Sequence, residues 1–237
     1  MPKTLIVADI HEDDIYLQQA EERAAQADAV VCLGDYWDSW NGVTEVTHTI
    51  TEWVKKKLYD PKWTMLWGNH DLHYAFDIRA FRCSGYSSLR ASIIKPKYTM
   101  KDWARMRCHA FVDGWLLTHA GVVPQLVTVP DGMSFPDWMH QQEADIRRAL
   151  GQAVPHPWLE AGRSRGGSFH NVYGGLVWAD WSEMGVIPGV NQLVGHTEAR
   201  QVRRIEVDGF QSVCMDTQRR HFAWIEDGIL KFEQVKN

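Results

Sequence analysis

Three short apolar runs, at residues 4–8, 29–33 and 63–67, limit the fold more than any other feature of this chain. Each is of strand length, and each leads at once into a short polar stretch: Asp9-Ile10-His11, Gly34-Asp35 and Gly68-Asn69. Runs this short and this apolar read as buried strands. Helical spacing lies between them. Asp13-Asp14 can cap a helix at about 14–26, with Ile15, Leu17, Ala20 and Ala24 as a partial apolar face. A second helix, at about 44–58, carries Val46, Ile50, Trp53, Val54 and Leu58 three or four residues apart. This βαβαβ order requires parallel strands joined by right-handed crossovers. In such a sheet the carboxyl ends of the strands lie together, and ligands bind there. Asp9, Asp35 and Asn69, far apart in sequence, are thereby brought to one end of the sheet.

Beyond residue 67 the pattern changes. Residues 72–103 mix aromatics, arginines and small polar residues and read as a short helix and a loop excursion bordering the strand ends. Residues 105–111 and 115–118 form a hairpin about the turn dipeptide Asp113-Gly114, and its second strand delivers His119. Residues 137–150 are helical, with Trp138, Met139, Ile146 and Leu150 as the apolar face. Residues 151–175, rich in Gly, Pro, Arg and Ser, are a long surface loop. Residues 192–194 lead into Gly195-His196-Thr197. Four strands then follow as a meander over 202–207, 210–215, 221–225 and 229–232, two of the turns being Asp208-Gly209 and Asp227-Gly228. A second sheet packed on the first gives an α/β fold of two mixed β-sheets flanked by helices, four layers in all. The 237 residues are enough for one domain, 1–237, with a full core.

Composition narrows the function. The net charge of −5 gives no basic footprint for extended nucleic acid, but it leaves room for a small phosphorylated substrate. Cys32, Cys83, Cys108 and Cys214 are scattered with no CxxC pair, which fits isolated thiols in an intracellular enzyme. The first apolar run is too short for a signal peptide or a membrane span, so a cytoplasmic location is expected. Tryptophan is frequent, at 12 residues, and most of these serve packing.

Five stretches carry metal-ligand residues. They are Asp9-Ile10-His11, Gly34-Asp35-Tyr36-Trp37-Asp38, Gly68-Asn69-His70-Asp71, Thr118-His119-Ala120-Gly121 and Gly195-His196-Thr197. Asp-x-His alone is as consistent with a helix cap and a surface histidine. The ordered set is more specific. Two cations about 4 Å apart repel, so a paired site needs a shared carboxylate, and Asp35 at a strand end is placed to bridge. Asp38 can accept a hydrogen bond from an imidazole and fix its tautomer. Asn69 offers an amide oxygen to metal and His70 faces the substrate. His119 and His196, each after an apolar strand and beside Gly or a small residue, complete the shell of the second ion.

This ordered set resembles the calcineurin-like metallophosphoesterase family, over nearly the whole chain. Within it the chain is most similar to the branch of serine/threonine protein phosphatases, phage phosphatases and diadenosine tetraphosphatases. Thr118-His119-Ala120-Gly121, Leu176-Val177-Trp178-Ala179-Asp180 and Cys214-Met215-Asp216-Thr217 carry that likeness. The resemblance implies a first metal held by Asp9, His11 and Asp35, and a second held by Asp35, Asn69, His119 and His196. It implies His70 as the proton donor to the leaving oxygen, oriented by Asp38, and a hydroxide held by the metals as nucleophile. The cofactors would be two divalent ions, Mn first, with Fe, Zn, Ni or Mg as alternatives. The expected activity is hydrolysis of phosphomonoesters or nucleotide phosphoanhydrides. The alternatives are a phosphodiesterase or nuclease on the same metals, and a non-catalytic scaffold.

Two positions depart from the branch. Ser39 and Trp40 stand where Arg-Gly is usual, so another group must grip phosphate, with Arg79, Arg82, Arg163, Arg165 and Arg200 as candidates. Glu198 stands where other branches carry a second histidine, which favours the phosphatase-like shell. Trp37 and Trp40 either stack on a leaving group or pack behind the site, and packing is the expectation. The remaining histidines, 48, 73, 109, 140, 156, 170 and 221, are expected at the surface or in structural roles, His73 being nearest the third stretch.

Overall fold

The strands sort into two five-stranded mixed sheets flanked by helices, in a computed structural model that describes residues 2–40, 44–168 and 170–235. In the first sheet, β1 (Thr4–Val7), β2 (Ala29–Cys32) and β3 (Trp63–Met65) run parallel in sequence order. The helices between them are α1 (Asp14–Ala24) and α2 (Thr44–Lys57). Asp13 caps α1 by accepting from the Tyr16 N–H at 2.8 Å, as its position in sequence predicts. The second sheet has the order β4-β5-β6-β8-β7. It comprises β4 (Ala110–Val112), β5 (Trp115–Leu117), β6 (Asn191–Val194), β7 (Arg203–Val207) and β8 (Phe210–Cys214).

Alternate residues of the central strands face two cores. Ile6, Val31, Leu33, Leu66, Leu117, Leu193 and Val213 pack into one buried cluster between the sheets. Leu5, Val7, Val30 and Cys32 belong to the other, with Tyr16, Leu17, Ile50 and Val54 of α1 and α2. Burial on both faces is why these strands read as continuous apolar runs. No helix among the described residues is long and apolar enough to cross a membrane.

Three expectations need correction. The last four strands are not one meander. β9 (His221–Glu226) and β10 (Ile229–Gln234) form a hairpin in the first sheet, where β9 lies antiparallel to β1. The chain changes sheets between β8 and β9 through Gln218 and Arg219, whose φ values are 57° and 61°. Phe222, Ala223, Trp224 and Ile225 are all buried, as suits a strand flanked on both sides by others. Period and turn chemistry specify the hairpins but not the sheet to which each belongs.

The strand expected at 105–111 is confined to β4. Upstream, the Arg107 N–H donates to the Met65 carbonyl and the Trp67 N–H to the Arg107 carbonyl, both at 2.9 Å. The segment thus extends the β3 side of the first sheet. Glu143 of α6 (Phe135–Gly151) holds it there through Arg107 at 2.9 Å and Arg147 at 2.6 Å. Residues 72–103 are also more helical than expected. They contain α4 (Ser88–Ile94) and α5 (Met100–Trp103), and α3 (Asn69–Ala75) begins inside the third stretch itself. Ser87 caps α4 and a Thr99–Asp102 capping box opens α5. Of the expected loop at 151–175, Phe169 lies outside the described residues.

Candidate metal centre and proton-donor pair

The polar stretches meet where the parallel strands end, and the backbone there is strained. Asp9, His11, Asp35, Asp38 and His196 have φ values of 48°, 44°, 56°, 70° and 69°. Non-glycine residues rarely adopt this left-handed conformation, and its clustering is a mark of functional sites. The loops support one another through backbone hydrogen bonds. The His11 N–H donates to the Asp35 carbonyl at 2.9 Å and the Glu12 N–H to the Tyr36 carbonyl at 3.0 Å. Asp71, fully buried, accepts from the N–H groups of Asp35, Tyr36 and Gly68 at 2.9, 3.0 and 2.7 Å. It joins the second and third stretches, a part that the sequence did not reveal.

Two glycines are required by close approach. A Cβ on Gly68 would lie 2.1 Å from Asp35 Oδ1, and one on Gly195 would lie 2.1 Å from Asp9 Oδ2. Only a residue with no side chain leaves room for those carboxylates.

The donor atoms fall into two groups that share Asp35. One is Asp9, His11 and Asp35; the other is Asp35, His119 and His196. Asn69 adds its oxygen to the second, 3.0 Å from His119 Nε2. Tautomers follow from the partners. His119 Nδ1 lies 2.9 Å from the Leu33 carbonyl, which can only accept, so Nδ1 carries the proton. Its Nε2 lone pair then faces Asn69 Oδ1 at 3.0 Å, His196 Nδ1 at 3.1 Å and Asp35 Oδ2 at 3.4 Å. His11 Nδ1 likewise donates to the Trp37 carbonyl at 3.0 Å, leaving Nε2 toward Asp35 Oδ2 at 3.6 Å. Asp9 Oδ2 and His196 Nε2 are buried with no hydrogen-bond partner among the described residues. Lone pairs facing lone pairs in a dry site are costly unless a proton or a metal cation stands between them. The residues therefore fit two divalent ions.

Protonation tendencies agree. Burial, aided by Asp216, pushes Asp9 well above the usual carboxylate range. Burial holds His196 well below its usual value, with His119 adding to the effect, and it lowers His11 against the pull of Asp35. Both imidazoles are then neutral and able to ligate. Burial opposes charge on His119, yet the surrounding carboxylates together, Asp35 first and then Asp9 and Asp71, lift the group to about 9. Positive charge is favoured at the centre of the cluster, and a divalent ion would supply it.

His70 and Asp38 form the second unit. His70 Nδ1 lies 2.8 Å from Asp38 Oδ2, so its Nε2 is free to face the cavity. Burial works against charge on His70, but Asp35 and Asp38 raise its pKa well above the usual value. Asp38 is itself fixed, its Oδ1 accepting from the Tyr74 hydroxyl. Two neighbours join the pair, His73, already marked by its place near the third stretch, and Cys83, which was not foreseen. His73 is fully buried with Nε2 2.8 Å from Asp38 Oδ2, and Cys83, expected to be an isolated thiol, lies 3.3 Å from His73 Nδ1 and 3.6 Å from His70 Nδ1. Burial raises the Cys83 thiol, but His70 and His73 together bring it down to about 7. A one-in-three spacing from His70 to His73 on a helix was the available signal; nothing in sequence pointed to Cys83.

The groups open into a cavity of about 570 Å³ lined by His11, Asp35, Asn69, His70 and His196, with Trp40, Arg165 and Arg219 among its other walls. This lies within the range typical of small-ligand sites. Of the five candidate arginines, only Arg165 lines the cavity, paired with Asp180 at 2.7 Å and donating to Thr197 Oγ1 at 2.8 Å. Arg219, paired with Asp13 at 3.1 Å, joins it unforeseen. The two tryptophans part. Trp37 is fully buried, its indole N–H donating to Thr51 Oγ1 at 3.2 Å, as packing predicts. Trp40 is 84% exposed on the cavity wall, so packing does not account for it.

A family model described as calcineurin-like phosphoesterase matches residues 2–197. No curated protein matches the chain in sequence. Among solved structures, a cold-active protein-tyrosine phosphatase of a psychrophilic Shewanella species shares 15% identity, with 99% of this chain and 81% of that one covered and a TM-score of 0.58. A protein serine/threonine phosphatase from Saccharomyces cerevisiae shares 11% identity, over 99% and 80% of the two chains, with a TM-score of 0.54. At these identities the likeness is one of fold.

Proposed function

We propose a specific chemistry for this chain, which belongs to the calcineurin-like phosphoesterase family and is a metal-dependent phosphoester hydrolase: hydrolysis of phosphomonoesters, or of phosphoanhydrides in nucleotides. Asp9, His11 and Asp35 would hold one divalent ion. Asp35, Asn69, His119 and His196 would hold the other, the two groups sharing Asp35. When bound, the ions supply an activated water and neutralise charge that builds on the phosphoryl oxygens. The observation that carries this reading is the set of lone pairs around His119 Nε2, drawn from three loops and facing inward.

The chain's own residues do the rest. His70 donates a proton from Nε2 to the leaving oxygen while Asp38 holds Nδ1 and keeps the ring aimed. Arg165 and Arg219 supply the guanidinium charge that Ser39 lacks. Asp71 keeps the second and third stretches in register. Mixed oxygen and imidazole donors suit Mn, with Fe, Zn, Ni and Mg as alternatives. Four free cysteines suit a reducing compartment such as the cytoplasm.

The test is a substrate panel with Mn²⁺: phosphopeptide, mononucleotide, dinucleoside polyphosphate, cyclic nucleotide and single-stranded oligonucleotide, with products identified. Monoesters or phosphoanhydrides should be cleaved and the oligonucleotide left intact. His70→Asn should retain both metals and lose about 10²- to 10⁴-fold in turnover of an alkyl phosphate. Preferential cleavage of the oligonucleotide, or undiminished turnover in His70→Asn, would overturn the reading.

A further inference from the structure

Beside the paired-ion centre, on the far side of His70, lies a second set of ligand-type side chains. Asp38, His70, His73 and Cys83 each offer one donor atom, and the four atoms lie within 4.8 Å of one another. The donor types differ from those of the main centre. A thiol and two imidazoles make a softer set, of the kind that selects Zn²⁺ over Mn²⁺ or Mg²⁺.

The spacing fits a tetrahedral ion. With Zn–S near 2.3 Å and Zn–N near 2.0–2.1 Å, sulfur and nitrogen ligands stand about 3.6 Å apart. Cys83 Sγ lies 3.6 Å from His70 Nδ1 and 3.3 Å from His73 Nδ1. A second observation points the same way. His73 is only 1% exposed, and its Nε2 has no hydrogen-bond partner among the described residues, although Asp38 Oδ2 is 2.8 Å away out of line. With a metal on Nδ1, Nε2–H would turn to Asp38 and complete the carboxylate–histidine–metal arrangement common at zinc sites. The site is also reachable, because Ser84, next to Cys83, lines the cavity.

We propose that Cys83, His70 and His73 form an inhibitory site for a thiophilic divalent cation, Zn²⁺ above all, distinct from the paired-ion centre. Occupancy takes His70 Nδ1 away from Asp38 and so disarms the proton donor. The inhibition, though not the metal site, rests on the proposed role of His70.

Mn²⁺-loaded protein is titrated with Zn²⁺ while turnover of an alkyl phosphate is followed. Each variant is normalised to its own starting activity and checked for an unchanged melting temperature. Co²⁺ in place of Zn²⁺ reports the thiolate directly, through sulfur-to-cobalt charge-transfer absorption. The other cysteines, 32, 108 and 214, are buried and belong to neither donor group of the main centre. In the wild type, Zn²⁺ should inhibit at a concentration at least tenfold lower than in Cys83→Ser or His73→Gln. The Co²⁺ band should vanish in Cys83→Ser. An equal Zn²⁺ response in all three proteins, with no thiolate band, would overturn the proposal. A thiolate band with undiminished turnover would overturn the inhibition alone, and would place the fault in His70's role and not in the metal site.

Discussion

Gly85 offers a sharp test of the Asp38–His70 pair, because it touches the pair without belonging to it. A Cβ at this position would lie 2.7 Å from both Asp38 Oδ2 and His70 Nδ1, and 2.8 Å from Asp38 Cβ. Ordinary contact begins at 3.4 Å, so Gly85→Ala demands a shift of about 0.7 Å, the difference of the two. Asp38 resists it, being held by the Tyr74 hydroxyl and crowded by His73, so on that side the backbone at Gly85 must yield. His70 is the freer partner, with its side chain 16% exposed toward the cavity. A shift of that size stretches the present 2.8 Å separation to at most about 3.5 Å and turns the imidazole off line, weakening the hydrogen bond. Overpacking of this size typically costs about 1–3 kcal/mol, so the protein should still fold.

Positioned general acids contribute about 10²- to 10⁴-fold. A misaimed one should lose part of that, about 10- to 100-fold in kcat. The assay is a comparison of leaving groups with Mn²⁺ content measured alongside. An alkyl phosphate, whose alkoxide needs a proton, should show the full loss. A nitrophenyl phosphate, whose leaving group departs unprotonated, should change by less than about threefold, since proton donation is then not required. Equal losses on the two substrates, or no loss on either, would refute the assignment of His70 as proton donor oriented by Asp38.

Arg165→Ala should raise KM for a phosphomonoester about 10- to 100-fold, the worth of a charge-assisted hydrogen bond of about 1.5–3 kcal/mol, and should weaken inhibition by inorganic phosphate in parallel. A fall in kcat alone, with lost metal, would show instead that Arg165 braces Asp180 and Thr197. Acid stability should depend on His109, which is 2% exposed and which burial lowers to about 4, against the pull of Glu143. The unfolded chain binds this proton near pH 6.5 and the folded one does not until about 4. Stability should therefore fall as pH drops from 6.5 toward 4, by up to about 3 kcal/mol at 1.36 kcal/mol per unit. Denaturant midpoints of His109→Gln should show a shallower slope over that window than the wild type; parallel slopes would refute it.

Much of the candidate site was legible because each of its parts sits where a local pattern ends. Asp9, Asp35, Asn69 and His196 follow strands marked by apolar runs, and parallel topology then brings those ends together. Asp38 was readable as an imidazole partner because it lies three residues beyond Asp35. Asp71, His73, Cys83 and Gly85 were not readable in this way. Their contacts run from the first turn of α3 and the loop behind it back to the second stretch, and no periodicity marks such an approach. The two tryptophans of that stretch show the same limit. They are three residues apart and alike in sequence context, yet Trp37 packs against Tyr74, Tyr98 and Trp103 while Trp40 stands on the cavity wall.

By itself, then, the sequence determined strands β1, β2 and β3, their parallel order and the chemical kind of donor at each strand end, since those follow from short-range spacing and side-chain type. Tertiary structure decided which lone pairs face one another. The Leu33 carbonyl fixes the proton on His119, the left-handed backbone at Asp9, Asp35 and His196 turns their side chains inward, and β9 crosses to the first sheet. These depend on contacts between residues distant along the chain, whose geometry is set only when the two sheets and the loops above them pack.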